Sequence, residues 1–218
     1  MMTIADRPGR QKVAVIVAHP DDETLWAGGT ILMHQDWGWN VFALCRAGDT
    51  DRAPKFRRAL QELGVSGNIG DLDDSPGQPP VPEQQLKKSI MALLPETRFD
   101  IVITHSPFGE YTRHRRHEET GRAVARLWEE GEITADRLWM FAYEDGGRQH
   151  LPGAIKSAHQ RIKLPETIWQ RKYRIITGLY GFDAASFEAQ TTPWEEAFWC
   201  FSSPAELEEW LAGKGEKR

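Results

Sequence analysis

Short apolar segments alternate with longer amphipathic ones along this chain, and that alternation constrains the fold more than any other feature. Val13–Ala18 is a short apolar run typical of a buried strand, and residues 24–35 directly after it have the pattern of a helix despite two glycines. Similar patterns predict strands at 41–45, 68–74, 100–106 and 137–143, and helices around 56–64, 82–94, 120–131 and 166–176. Because strands that alternate with helices pair in parallel, the sequence predicts a three-layer αβα architecture with a mostly parallel central sheet.

The regular alternation weakens after Tyr143. Residues 144–153 are rich in glycine and proline, and this composition predicts a loop. Thr192–Glu195 and Ser203–Glu206 both combine a hydroxyl residue, a following proline and a Glu at the third position after the hydroxyl, which predicts two helix starts. Since there is no internal repeat, low-complexity tract or linker, we expect residues 1–218 to form a single domain.

Composition and charge narrow the class of function. The net charge is −5, with 27% charged and 40% apolar residues, so the sequence offers little attraction for nucleic acid or an anionic membrane. No apolar run approaches the roughly 20 residues that a membrane-spanning helix needs, and residues 1–12 lack the apolar core of a signal peptide. Two cysteines do not make a disulfide framework, so we expect a cytoplasmic protein.

Polar side chains follow three of the predicted strands. His19, Asp21 and Asp22 come directly after the first strand, and His114 and His117 come in the segment after the 100–106 strand. The second strand ends in a stretch that contains an arginine and an acid (residues 46–49). Because the carboxyl ends of parallel strands share one edge of a sheet, His19, Asp22 and His117 are expected to converge there.

Two imidazoles and one carboxylate form a sensible ligand set for catalytic zinc, which usually keeps three protein ligands and one open position. Neighbouring residues in a turn point in different directions, so one aspartate of the Asp21–Asp22 pair can bind metal while the other faces a water molecule. The alternative is that these acids only cap the helix that begins there, because helix N-termini favour acidic residues. That alternative explains the acids but not His19.

Both histidine-containing segments resemble a known family. AHPDDE, followed by a helix that contains GGT, is similar to the first signature of the LmbE/PIG-L family of zinc-dependent N-acetyl-sugar deacetylases. HRRHEETGRAV resembles the second signature, because Gly121 lies four residues after His117, and CRAGDTD resembles the family's stretch after its second strand. The resemblance covers about residues 13–143 and leaves 144–218 as a variable part that contains the substrate side and C-terminal helices.

The resemblance implies a Rossmann-like fold and a role for each matching residue. His19, Asp22 and His117 would hold one zinc ion per chain, and Asp21 would be the general base. His114 would help to stabilise the oxyanion of the tetrahedral intermediate. The implied reaction is hydrolysis of an N-acetylated amino sugar of the N-acetylglucosamine type, or of its conjugate, to a free amine and acetate.

The second signature departs from the family pattern in its middle. Arg115 and Arg116 stand where the family has proline and aspartate, and that aspartate is expected to orient the first histidine. An arginine cannot accept a hydrogen bond, so His114 needs another partner. We hypothesise that the two arginines bind an anionic group of the substrate, such as a phosphate or carboxylate. The candidates to orient His114 instead are Glu110, Glu118 and Glu119.

Each of four further residues has two possible roles. The resemblance implies that Arg46 contacts substrate hydroxyls or phosphate, but Arg46 could instead form a surface ion pair with Asp49. Tyr111 could reach the substrate carbonyl or pack a loop, and Asp74 could contact substrate or belong to a turn. Glu23 could orient a metal ligand or only favour the helix N-terminus.

Three other functions compete with deacetylation. A related amidase or esterase would act on another acyl conjugate, and a metal-dependent phosphoesterase would usually need more carboxylates and histidines than are assembled here. A Rossmann-like sugar-binding protein without catalysis would have no need of Asp21. The expected partner is a small amino-sugar substrate; the tryptophans near the C-terminus could also serve a homo-oligomer interface, and they are Trp194, Trp199 and Trp210.

Overall fold

Nine strands and seven α-helices build the part of the chain that the computed structural model describes, which comprises residues 10–75 and 77–215. The strands are β1 (Lys12–Val17), β2 (Gly38–Cys45), β3 (Ser66–Leu72), β4 (Arg98–Thr104), β5 (Thr134–Phe141), β6 (Tyr143–Glu144), β7 (Gly153–Ala154), β8 (Gln160–Lys163) and β9 (Glu195–Phe201). The helices are α1 (Asp22–Met33), α2 (Arg52–Leu63), α3 (Glu83–Leu93), α4 (Arg115–Glu129), α5 (Glu166–Arg174), α6 (Phe187–Thr191) and α7 (Pro204–Gly215). A π-helical stretch, Ile175–Leu179, continues α5.

Seven of these strands form the central sheet, in the order β3-β2-β1-β4-β5-β9-β8. The first five pair in parallel, whereas β9 runs antiparallel to β5 and β8 antiparallel to β9. The prediction of a mostly parallel sheet within an α/β fold is therefore confirmed. The two remaining strands, β6 and β7, form a small antiparallel pair of their own.

Side chains of β1 divide the interior into two apolar layers, one on each face of the sheet. Val13, Val15 and Val17 belong to the layer that α1 and α2 cover, whereas Ala14 and Ile16 belong to the layer that α3 and α4 cover. Because successive side chains of a strand point to opposite faces, a strand covered on both sides must be apolar throughout. This requirement explains the uninterrupted apolar run that the sequence shows here.

The C-terminal region departs from the prediction at one of its two expected helix starts. Thr192–Glu195 begins no helix; β9 starts at Glu195 instead, and the buried rings of Phe198 and Phe201 pack against the rest of the sheet. Burial of aromatic residues on both faces of β9 outweighs a local capping signal here. The second predicted start is confirmed, because α7 begins at Pro204 and the Glu206 N–H donates to Ser203 Oγ at 3.3 Å.

The predicted loop at 144–153 is largely irregular, although β6 and β7 pair across its two ends. None of the helices within the described ranges is both long enough and apolar enough to cross a membrane. The carboxyl ends of β1, β2 and β4 lie at one edge of the sheet, where α1 and α4 begin. That edge is where the polar residues singled out in the sequence come together.

Candidate active site

His19, Asp22 and His117 place three donor atoms in a small triangle. His19 Nδ1 lies 3.1 Å from Asp22 Oδ2 and 3.2 Å from His117 Nε2, and these last two atoms lie 3.3 Å apart. With zinc–ligand bonds of about 2.0–2.1 Å, tetrahedral geometry separates neighbouring ligand atoms by about 3.3 Å. The triangle therefore has the size that one tetrahedral zinc ion requires.

Three different elements of the fold position the triangle. His19 follows the end of β1, Asp22 is the first residue of α1, and His117 lies in the first turn of α4. Asp22 is fixed locally, because its Oδ2 accepts the His19 N–H at 2.9 Å and its Oδ1 accepts the Trp26 Nε1–H at 3.3 Å. The sequence prediction that these three residues converge describes the structure correctly.

Each of the two histidines has a carboxylate next to the ring nitrogen that points away from the triangle. The other ring nitrogen of His19, Nε2, lies 3.2 Å from Asp74 Oδ2, and that of His117, Nδ1, lies 2.7 Å from Glu110 Oε2. Metal-binding histidines commonly donate their second ring N–H to a carboxylate, which fixes the tautomer and ring orientation. The His117–Glu110 contact is a hydrogen bond and so directs the lone pair of His117 Nε2 into the triangle, as a metal ligand requires. The His19–Asp74 contact is an ion-pair distance, because His19 Nε2 has no hydrogen-bond partner among the described residues.

Glu110 also organises His105 beneath the triangle. Its fully buried carboxylate accepts one hydrogen bond from the Ser106 N–H and one from His105 Nδ1, each at 3.0 Å. On the opposite side of the ring, the Ala18 N–H donates to His105 Nε2 at 3.0 Å. His105 therefore has both ring nitrogens engaged by the protein, and it packs against His117 with ring centroids 4.0 Å apart.

The electrostatics of the triangle favour an added positive charge. Burial lowers the pKa of His19 and of His117, but the neighbouring carboxylates outweigh it, so that both pKa values lie above the ordinary one. Burial would raise the pKa of Asp22, yet His117 and His105 hold it well below its usual range. Because a metal ion competes with protons for the same lone pairs, a site that favours protonated histidines next to carboxylates is also suited to a cation.

Asp21 does not belong to the triangle and is held by other groups. Its backbone has a φ of 109°, a conformation rare outside glycine, and its N–H donates to Glu23 Oε2 at 3.0 Å. Its Oδ2 lies 2.7 Å from Arg52 Nη1. Burial and the adjacent Asp22 raise the pKa of Asp21 well above its usual value, and Arg52 opposes this rise.

His114 lies against the rings of the other two site histidines. Its centroid is 4.4 Å from that of His117 and 4.6 Å from that of His19. Its buried Nδ1 finds no hydrogen-bond partner among the described residues, and one nitrogen from each of the three rings lies within 4.8 Å of the others. Burial, together with His117 and His19, lowers the pKa of His114 to about 3, so the ring is uncharged near neutral pH.

The expectation that a nearby glutamate replaces the missing aspartate beside His114 is wrong. Glu110 binds His117 and His105, whereas Glu118 accepts from Arg113 Nε at 2.8 Å. Glu119 pairs with the guanidinium of Arg116. Each candidate carboxylate is therefore engaged by another residue.

The hypothesis that both arginines of the second motif bind an anionic substrate is also wrong for one of them. Arg116 is 1% exposed, and its Nε donates to the Asp73 carbonyl at 2.9 Å while its Nη1 pairs with Glu119. It therefore ties α4 to the loop that carries Asp74. Arg115 is exposed and donates to the Gln78 carbonyl.

The structure places the three predicted substrate contacts at the rim of the triangle. Arg46 Nη2 lies 3.0 Å from Asp74 Oδ2, and Arg46 Nη1 lies 3.5 Å from Asp49 Oδ2. The alternative interpretation, a surface ion pair between Arg46 and Asp49, therefore also describes the geometry. Asp74 is already engaged by His19. The Tyr111 ring lies 5.4 Å from that of His117, and burial raises the pKa of its hydroxyl.

Three residues of the site carried no specific signal in the sequence. Glu110 is one of three candidates that the sequence offers for His114, with no signal that points to His117 and His105 instead. Nothing in the sequence singles out Arg52 or Tyr180, although Arg52 contacts Asp21 and Tyr180 OH donates to Glu23 at 2.8 Å. Tyr180 lies 157 residues from its partner, so no local spacing could have revealed it. By contrast, the helix that follows Pro82 and the buried apolar strands are indicated by patterns within short stretches of sequence.

Comparison with known proteins identifies the family of the segment that carries the triangle. The family model of PIG-L, described as GlcNAc-PI de-N-acetylase, matches residues 14–128, which is more than half of the chain. This segment contains all three residues of the triangle as well as Asp21 and His114.

Several solved structures share the fold at low sequence identity. An N,N'-diacetylchitobiose deacetylase from Pyrococcus horikoshii is 15% identical, with a TM-score of 0.65 over 88% of this chain and 84% of that chain. The zinc-inhibited form of the teicoplanin deacetylase Orf2 is 13% identical, with a TM-score of 0.58 over 88% and 98%. GalB, the 4-carboxy-2-hydroxymuconate hydratase from Pseudomonas putida, is 16% identical, with a TM-score of 0.55 over 87% and 95%. At these identities the likeness concerns the fold.

Proposed function

We propose that this chain, which belongs to the PIG-L family of GlcNAc-PI de-N-acetylases, is a zinc-dependent hydrolase. Its substrate would be an N-acetylated amino sugar of the N-acetylglucosamine type, or a conjugate of one. The observation that carries the proposal is the triangle of His19, Asp22 and His117, with edges of 3.1–3.3 Å and a carboxylate behind each histidine. One zinc ion held there would lower the pKa of a water molecule and polarise the substrate carbonyl.

Asp21 is the proposed general base. Asp21 directly precedes the donor Asp22, and its carboxylate interacts electrostatically with Asp22 and His19 without being one of the three donors. In the proposed mechanism it accepts a proton from the attacking water and later donates it to the leaving nitrogen. A base with a raised pKa suits this double task, because it holds the proton more readily between the two steps.

His114 is the proposed donor to the carbonyl oxygen as negative charge develops there. Its unpartnered ring nitrogen and its uncharged state near neutral pH fit a neutral hydrogen-bond donor, a role that imidazole fills in other enzymes. Arg46 and Tyr111 remain the proposed substrate contacts. For Asp74 we revise the role: its 3.2 Å ion-pair distance to His19 supports the proposal that it orients this histidine.

The shared fold leaves other metal-assisted reactions open, since GalB is a hydratase. An amidase or esterase acting on another acyl conjugate would use the same residues. A two-metal phosphoesterase needs two sets of ligands, whereas the two donor clusters among the described residues share His117. A sugar-binding protein without catalysis would not require a buried base beside the metal ligands.

The proposal is tested by amine release from a panel of N-acetyl sugars and their glycosides, with metal-stripped and zinc-reloaded protein. We expect about one zinc per chain and release of free amine and acetate by the reloaded protein alone. Matched O-acetyl and phosphate esters on the same panel separate an esterase or phosphoesterase from a deacetylase. Zinc-loaded protein that releases no amine from any member of the panel would contradict the proposal.

A further inference from the structure

Asp21 is held from two sides, by residues that touch none of the three donor atoms of the triangle. On one side, Glu23 Oε2 accepts the Asp21 N–H at 3.0 Å and so supports the unusual φ of 109°. On the other side, Arg52 Nη1 lies 2.7 Å from Asp21 Oδ2. A non-glycine residue with this backbone persists only where its surroundings hold it, because such conformations cost about 1–3 kcal/mol.

One short segment of the C-terminal region, residues 180–182, contacts both supports, and we call it the brace; the Thr24 hydroxyl also donates to Glu23 Oε1, at 2.6 Å. Tyr180 OH donates to Glu23 Oε1 at 2.8 Å, and both side chains are buried. The Phe182 ring lies 4.5 Å from the guanidinium carbon of Arg52, a cation–π contact. The brace thus reaches Asp21 twice, once through the backbone and once through the side chain.

A π-helical turn sets the direction of the brace. The Tyr180 N–H donates to the Ile175 carbonyl at 2.9 Å, a spacing of five residues instead of the four of an α-helix. One additional residue rotates the following side chains by about 100° relative to an uninterrupted α-helix. The turn therefore decides whether the Tyr180 hydroxyl faces Glu23.

We propose that Tyr180 and Phe182 of the brace, acting through Glu23 and Arg52, are positioning residues that hold the Asp21 carboxylate in place for proton transfer. This inference rests on the proposed function. The three donors of the triangle have supports of their own in Trp26, Asp74 and Glu110. Loss of the brace should therefore lower turnover while leaving metal binding intact.

Three variants test the two arms of the brace. Tyr180→Phe removes the hydroxyl of the first arm, and Phe182→Leu removes the ring of the second arm. Arg52→Ala removes the guanidinium through which the second arm reaches Asp21. We expect each to lower kcat about 10- to 100-fold, the usual effect of removing a group that orients a catalytic residue, with KM and zinc content unchanged. Arg52→Lys keeps the charge and should restore part of the loss. The matched controls are Tyr173→Phe and the exposed Arg57→Ala on the same helix as Arg52, which should retain wild-type kcat.

A background without the base separates positioning from general stability. In Asp21→Asn protein, the Tyr180→Phe and Arg52→Ala changes should lower the residual turnover by less than about 2-fold, because residues that act as a unit are not additive. The proposal would be overturned if each change lowered kcat by the same factor in the Asp21→Asn background as in the wild type. A zinc content that falls together with kcat in the single variants would also overturn it.

The outcomes also distinguish this inference from the proposed function. If the zinc-loaded wild type releases no amine, the proposed function fails. If the wild type is active and both Tyr180→Phe and Phe182→Leu keep its kcat, the brace proposal alone fails. Should Tyr180→Phe fold poorly, Phe182→Leu decides, since the Phe182 side chain is only partly buried.

Discussion

The two regions of this molecule contribute in different ways to its candidate site. Residues 12–141 supply all three donor atoms of the triangle, the proposed base Asp21 and the histidine that packs against the triangle, His114. Residues 143–215 supply none of these, yet they contact the site's supports at several points. Tyr180 reaches Glu23, and Glu196 accepts the N–H groups of Gly29 and Thr30 in α1, each at 2.7 Å.

The difference follows from topology. Parallel strands bring their carboxyl ends to one edge without further help, so local patterns in the first region are sufficient to assemble the donors. Exact placement of a buried loop needs contacts from outside that loop, and the antiparallel second region provides them. We therefore expect removal of a donor in the first region to abolish metal binding, and changes in the second region to lower stability or turnover.

The largest effect is expected from His117→Ala. Removing one of three ligands from the first region should abolish stoichiometric zinc binding and lower kcat/KM at least about 10³-fold, because both metal and bound water are lost. Metal analysis and amine release measure the two effects. The control is His150→Ala, at an exposed histidine of the second region. Equal zinc loss in both variants would contradict the division of roles between the two regions.

The buried pair of Lys172 and Glu196 tests the second region's structural role. Both side chains are fully buried, with Lys172 Nζ 2.6 Å from Glu196 Oε1. Glu196→Gln leaves an unpaired buried ammonium, so we expect a loss of about 3–5 kcal/mol in the free energy of unfolding by urea. Glu195→Gln breaks only the exposed pair with Arg161 and should cost less than about 1 kcal/mol. Equal losses for the two neighbours would contradict the assignment.

A smaller effect is expected where the first region supports its own ligands. Glu110→Gln and Asp74→Asn each remove the charge behind one histidine of the triangle, and should weaken zinc binding about 10- to 100-fold. Competition with a calibrated chelator measures the affinity. Asp49→Asn, at the exposed rim, should leave it unchanged, and unaltered affinity in all three variants would mean that the carboxylates do not orient the ligands.

The smallest effect concerns the two helix starts predicted in the second region. Ser203→Ala removes the cap of α7 and should cost about 1 kcal/mol of stability. Thr192→Ala removes a hydroxyl that donates to the Glu188 carbonyl within α6 instead of capping a following helix, so its cost should be smaller. Thermal unfolding of both variants tests the order, and a larger loss for Thr192→Ala would reverse it.

The fold of the first region was predictable because its signals are local. The run Val13–Ala18 and the helix that ends before Gly64, where φ is 72°, are each specified within a short window. The convergence of His19, Asp22 and His117 then followed from parallel pairing alone. In the second region, β9 was missed because its pairing with β5 depends on residues about 60 positions away along the chain.

The supports of the site were harder to predict than its donors. A carboxylate behind a metal-binding histidine is a general expectation, but the choice of Glu110 over its neighbours depends on how the loop after β4 folds. The brace is determined by a π-helical turn and by contacts over 130 residues or more. Buried polar residues such as Glu23 keep a partner somewhere, so an acid left unexplained in the sequence was itself a signal.

The central claim is that two adjacent aspartates divide metal binding from proton transfer, and one pair of variants tests it most directly. Zinc content and kcat are measured side by side for Asp21→Asn and Asp22→Asn. The account predicts that Asp21→Asn keeps about one zinc per chain while kcat falls about 10²- to 10⁴-fold, and that Asp22→Asn loses the zinc itself. An Asp21→Asn protein that turns over at the wild-type rate, or that loses its zinc as Asp22→Asn does, would contradict it.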